Sequence, residues 1–238
     1  MPRPSNQEVE KYYFQQFSEH FPLPSGEIEY GDKPDVVING SKKIGIEIAN
    51  LYLADGSDYA SEQVQRKRRQ KVVELAQSTY ESKHNFKYEL TISFNPRKPI
   101  VDTQTTAKKL AEFATFVENS GGGFLIGKNL SHIPEIYSIY RSVKEYSDSK
   151  WRTSQVYDGK DLQIPRVREL MQQKSKKLSG YRQCDSFWLL LVVDFMDSAQ
   201  DQEIDWPIGE LPIECGFEKV IIYKSQFKKY SDIPVKSY

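Results

Sequence analysis

Asp35 and Glu47 each stand where a plain core strand would carry an apolar residue, within the stretch Lys33-Pro34-Asp35-Val36-Val37-Ile38-Asn39-Gly40-Ser41-Lys42-Lys43-Ile44-Gly45-Ile46-Glu47-Ile48-Ala49-Asn50. Brought together, two carboxylates and a nearby main-chain carbonyl make a set of hard oxygen donors that suits Mg²⁺ or Mn²⁺. Such an ion acidifies a bound water and offsets the charge that builds on a phosphate. A structural role is the alternative: Pro34-Asp35 opens a strand, and Glu47 is a solvated position on a half-exposed sheet.

The elements that must position the pair are two β-branched runs flanking Asn39-Gly40, a strong hairpin signal. Ile44, Ile46 and Ile48 alternate with Gly45, Glu47 and Ala49, so the isoleucines take one face and Glu47 the other. Burying Val36 and Ile38 on the isoleucine face requires an odd-length loop, most simply Asn39-Gly40-Ser41 with Gly40 left-handed. Ile38 then pairs with Lys42, Asp35 lies opposite Gly45, and Glu47 is the diagonal neighbour of Asp35, with Cα atoms about 7–8 Å apart. Gly45 contributes no side chain to block a cation between them. A two-residue loop would instead bury Asp35 among isoleucines without a partner.

At these residues the chain resembles the PD-(D/E)XK nuclease superfamily, whose signature is an Asp opening a strand and Glu-x-Lys on the next. Pro34-Asp35 matches the first half and Glu47 the acidic position of the second, while Ala49 stands where the superfamily usually has its lysine. Gly45-Ile46-Glu47-Ile48-Ala49-Asn50-Leu51 is similar to a bacterial branch in which that lysine is replaced and a glutamine on the following helix joins the site. The resemblance implies a restriction-endonuclease-like fold and Mg²⁺ or Mn²⁺ held by Asp35, Glu47 and the Ile48 carbonyl. It also implies hydrolysis of phosphodiester bonds in DNA or RNA.

That following helix spans Ser61 to Glu81, with Val72, Leu75, Ala76 and Thr79 as its packed stripe. Traced toward the N-terminus the stripe passes Arg69 and Gln65, which makes Gln65 the choice for the glutamine and Gln63 its runner-up. Lys67 and Lys71 share a face with Gln63 and are placed to supply the missing cation, Lys67 first. The run Arg66-Lys67-Arg68-Arg69-Gln70-Lys71 offers Lys67, Arg69 and Lys71 to phosphates, or is simply a solvated helix face. A basic helix from Leu162 to Gly180 packs through Val167, Leu170, Met171 and Leu178. Its Lys174 and Lys177 are candidates for backbone contacts or for a distant replacement of the absent lysine.

The remaining elements are legible from periodicity. Gln7 to Phe21 reads as an amphipathic helix capped by Ser5 or Asn6, whose Glu8 and Glu10 are helix-start acids or an additional carboxylate for the site. Ser25 to Asp32 is a short strand and turn. Lys87 to Phe94 is a strand, Thr106 to Asn119 a helix, and Phe124-Leu125-Ile126 a short strand after Gly121-Gly122-Gly123. Ser131 to Gly159 reads as an irregular stretch whose Tyr137, Tyr140, Tyr146, Trp151 and Tyr157 pack a loop or stack on unpaired bases. Phe187 to Phe195 is continuously apolar, the mark of a strand buried on both faces. Phe217 to Tyr223 is the last strand, followed by a trailing tail. This order specifies an α/β protein with a mixed central β-sheet flanked by helices. We read residues 1–238 as one domain, its motif core at about 7–95 and its C-terminal half completing the sheet.

Composition bounds the function. The 238 residues are 38% hydrophobic and 13% aromatic, enough for a folded globule, and the formal net charge is zero. Locally the balance differs: Arg141 to Arg182 holds 11 Lys or Arg against 5 Asp or Glu, and Gln183 to Tyr238 holds 5 against 10. Cys184 and Cys215 form no CxxC pair, and neither a signal core nor a membrane-length apolar run is visible, which points to a cytoplasmic protein. His20, His84 and His132 lack zinc-ligand spacing. Two readings remain, a Mg²⁺-dependent nuclease and a catalytically inactive module of the same type that binds nucleic acid or a protein partner. A homodimer is compatible with either.

Overall fold

The computed structural model describes residues 5–54, 56, 58–142, 149–154 and 159–237. Tyr146 and Tyr157 lie outside the described residues. The chain divides into two compact units, one formed by Met1–Leu53 with Asp158–Tyr238 and the other by Ala54–Tyr157. Helix α1 (Asn6–Ser18) and strands β1 (Gly26–Tyr30), β2 (Val36–Gly40) and β3 (Lys43–Asn50) begin the first unit. The second unit contains α2 (Glu62–Glu81), β4 (Leu90–Phe94), α3 (Thr103–Val117), β5 (Gly123–Ile126), β6 (Ile136–Arg141) and β7 (Arg152–Thr153). The first unit resumes with α4 (Ile164–Ser175), β8 (Ser186–Val193), β9 (Ile213–Cys215), β10 (Lys219–Lys224), β11 (Lys229–Ile233) and β12 (Val235–Ser237).

The first unit is built on a mixed six-stranded sheet in the order β1-β2-β3-β8-β10-β11. Its inner strands β3, β8 and β10 are parallel, and antiparallel pairs close both flanks. Helix α1 covers one face through Phe14 and Phe17, which pack with Ile46, Ile48, Leu190 and Val192. Helix α4 covers the other through Val167 and Met171, against Leu189, Leu191 and Val220. The continuous apolar run of β8 is therefore explained by burial on both sides. Helix α1 begins where expected because Ser5 and Glu8 form a reciprocal capping box.

The hairpin parity is as expected but its register is shifted. Ile38 pairs with Ile44 and Asn39 with Lys43, so the turn moves one residue toward Ser41-Lys42. The cause is the edge strand β1, whose Gly26 pairs with Gly40 and keeps that residue in the ladder. Gly40 is not left-handed, since the positive-φ glycines are Gly123, Gly127 and Gly209. It is required by close approach instead: a Cβ there would sit 2.1 Å from the Ser25 carbonyl oxygen. Gly40→Ala should lower unfolding free energy by about 2 kcal/mol through that overlap, measured by urea denaturation; unchanged stability would show that β1 can yield.

Three other expectations are corrected. The stretch from Ser131 contains strand β6, whose buried Ile136 and Ile139 are three apart because a bulge falls opposite Ser93 and Phe94. The basic helix stops at Ser175, followed by a short 3₁₀ turn at Leu178–Gly180. The tail forms edge strand β11, its lysine and serine residues giving no apolar alternation to read. In the second unit, α2 and α3 pack on one face of a sheet ordered β5-β6-β4-β7.

Candidate functional site

Gly45 pairs with Val37, so Asp35 is not opposite Gly45 as the expected register had it; the β2–β3 ladder ends at Val36 and Ile46, and Asp35 stands one residue before β2. The two carboxylates are nonetheless near enough for the charge of Glu47 to act on Asp35. The space above Gly45 is no cation slot either, because a Cβ there would meet the rings of Phe187 and Pro34 at 2.8 Å. Asp35 and Glu47 share the face that α4 covers.

Helix α4 brings a lysine to them. Lys174 Nζ lies 2.6 Å from Glu47 Oε1, with Glu47 buried and Lys174 half-buried. This ion pair joins residues 127 apart in sequence. Asp35 Oδ2 accepts a hydrogen bond of 2.7 Å from the Ile48 N–H. In an antiparallel ladder the N–H and C=O of one residue point the same way, so the Ile48 carbonyl also faces the Asp35 side, beyond the last rung shared with β2. Asp35, Ile48 and Glu10 of α1 border a cavity of about 460 Å³, with Lys11 and Tyr30 on its rim.

The electrostatics of this corner are those of crowded carboxylates. Burial, then the charge of Glu47, pushes Asp35 up to about 7, against the opposing pull of the Ile48 N–H and Lys174. Glu10 is likewise raised by burial and then by Glu47. Tyr181 is raised by burial and by the Glu47 carboxylate to which its hydroxyl is hydrogen-bonded, so the phenol stays protonated and donates. Lys174 is the cation that counters the shift of both Asp35 and Glu10.

The other residues singled out from the sequence belong to the second unit or to the surface. Gln65 is buried in its own unit, where its Nε2 donates to the Tyr59 and Ile100 carbonyls and its Oε1 accepts from the Ile100 N–H. Arg69 pairs with Glu62 at 2.7 Å and sits over the Phe94 ring. Lys67 and Lys71 are exposed on α2, and Lys177 is exposed just beyond α4. Glu8 is occupied by the helix cap. Sequence reasoning missed Tyr181, which no spacing ties to Glu47. Of the two roles open to Glu10 from the sequence, its place beside Asp35 at the cavity fits the additional carboxylate.

Among the described residues, no three His, Cys, Asp or Glu side chains are close enough together to hold a metal ion. The donor set still fits a divalent cation, because Asp35, Glu47 and the Ile48 carbonyl are all hard oxygens, and the two carboxylates repel each other in a half-buried corner. No helix among the described residues is long and apolar enough to cross a membrane. No family model, no curated protein and no solved structure matches this chain.

Proposed function

We propose that the Asp35–Glu47 corner is the centre of a metal-dependent nuclease of the PD-(D/E)XK type, in which Lys174 takes the place of the lysine absent at Ala49. The observation that carries this reading is the Lys174–Glu47 contact of 2.6 Å, a cation delivered by a different element to the acidic position of the motif. Asp35, Glu47 and the Ile48 carbonyl would hold Mg²⁺ or Mn²⁺, which when bound supplies an acidified water and neutralises phosphate charge. Lys174 has three ammonium donors, of which Glu47 takes one, leaving donors for a phosphate oxygen of DNA or RNA. Tyr181 fixes the orientation of Glu47, and the Ile48 N–H fixes that of Asp35. Lys67, Lys71 and Lys177 offer exposed charge for the nucleic-acid backbone. The Gln65 amide holds the Ile100 main chain and carries no step in this scheme.

A second reading, an inactive module of the same ancestry that binds nucleic acid or a protein, is favoured by Ala49 and by the Lys174 charge that pairs with Glu47. Incubation of plasmid DNA, single-stranded DNA and RNA with Mg²⁺ or Mn²⁺ separates the two. Cutting that disappears with EDTA, in Asp35→Ala and in Glu47→Ala is expected. A folded protein that cuts nothing and gives no calorimetric signal with Mn²⁺ would leave the binding module.

A further inference from the structure

The second unit exposes a row of side chains that its own packing does not use. Leu90, Ile92 and Ile139 point toward α2 and α3, where they meet Val72, Ala76 and Leu110. Alternation sends their neighbours to the opposite face. The register places Phe124 of β5 beside Tyr140 of β6, Tyr140 beside Thr91 of β4, and Thr91 beside Arg152 of β7, one continuous row across all four strands. Phe124 is 73% exposed, Tyr140 44% and the neighbouring Tyr137 68%. The Phe124 and Tyr140 rings lie 5.1 Å apart, so they present adjoining aromatic surfaces.

We propose that this sheet face is a stacking platform for unpaired nucleotides of a single-stranded nucleic acid. Every base has a π-face, and adjacent exposed rings on a sheet accept successive bases with little sequence preference. The positive charge that meets an anionic chain on this face is at Arg152, because α2, with its run of Lys and Arg, and α3 pack on the opposite side of the sheet. Arg152 ends the row with its side chain 58% exposed, and its salt bridge to Glu89 is one that a phosphate can replace. A peptide partner would gain the apolar rings but, unless it were acidic, would leave Arg152 unused. The platform stands independently of the Asp35–Glu47 reading.

The test is fluorescence anisotropy of short labelled oligothymidylate and oligouridylate with the full chain in EDTA, so that cleavage plays no part. Both strands should bind alike, because stacking reads the base and not the sugar, and duplex DNA should bind far more weakly. Phe124→Ala and Tyr140→Ala should each weaken binding about tenfold, while Phe124→Trp retains it. Arg152→Gln should weaken it too and reduce the salt dependence by about one phosphate contact. Binding in EDTA needs no metal, which separates failure of the platform from failure of the metal site. These rings are exposed, so the variants should melt with the wild type. No binding by the wild type, or unchanged binding by the Phe124→Ala/Tyr140→Ala double variant, overturns the proposal. So does loss of self-association in that double variant with oligonucleotide binding intact.

Discussion

Lys174→Met should reduce phosphodiester cleavage by at least about 100-fold, the usual cost of removing one preorganised donor from developing negative charge. It should also lower unfolding free energy at neutral pH by about 3 kcal/mol, because Glu47 keeps its buried position beside Asp35 and loses its cation. Methionine preserves most of the side-chain volume, so packing against β3 is not the cause of either effect. Two assays therefore report on one substitution, and a partial rescue separates them. Ala49 lies two residues from Glu47 on the same face of β3, so Ala49→Lys in the Lys174→Met background returns a cation to the motif's own position. Cleavage should recover at least about tenfold over the single variant if the charge, and not α4 itself, is what matters. Wild-type cleavage by Lys174→Met would remove Lys174 from the chemistry.

The carboxylate pair was legible because period-two alternation alone puts Asp35 and Glu47 on one face, whichever odd loop joins the strands. The exact register was not, because it is set by β1, a strand exposed along its length whose Gly26 pairs with Gly40. That strand was read at Ser25 to Asp32, but nothing local to the hairpin encodes its pairing with β2. The same holds for the cation. Lys174 was visible as a lysine on a basic helix, but α4 meets Glu47 only because β8 runs parallel to β3, and parallel pairing is a long-range property. Gln65 shows the converse. Its place on a buried stripe was read correctly, but burial brought it to the main chain of Ile100, an acceptor and donor that no side-chain pattern announces. The Phe124–Tyr140 row was obscured by the bulge in β6, which breaks the alternation that would have identified that strand.

Asp35→Asn should leave stability unchanged near pH 4 and raise it by as much as about 4 kcal/mol at pH 8 in metal-free buffer. The sign follows from the direction of the shift. Folding lifts the Asp35 carboxyl from its usual 3.8 to about 7, through burial first and the charge of Glu47 second. Between those values the folded protein holds a proton that the unfolded chain has released, so wild-type stability falls as pH rises through that window and levels off above it. A gap of about three pH units corresponds to about 4 kcal/mol. Asparagine removes the titration but keeps an oxygen to accept the Ile48 N–H, so the variant escapes the loss without breaking that contact. Urea denaturation at both pH values measures it, and an equal difference at pH 4 and pH 8 would mean that Asp35 titrates near its usual range. Mn²⁺ should reverse the comparison: at pH 8 it should stabilise the wild type in proportion to its binding and do little for Asp35→Asn. A carboxylate that costs stability when empty and repays it only with a cation is the pattern of a site kept for function.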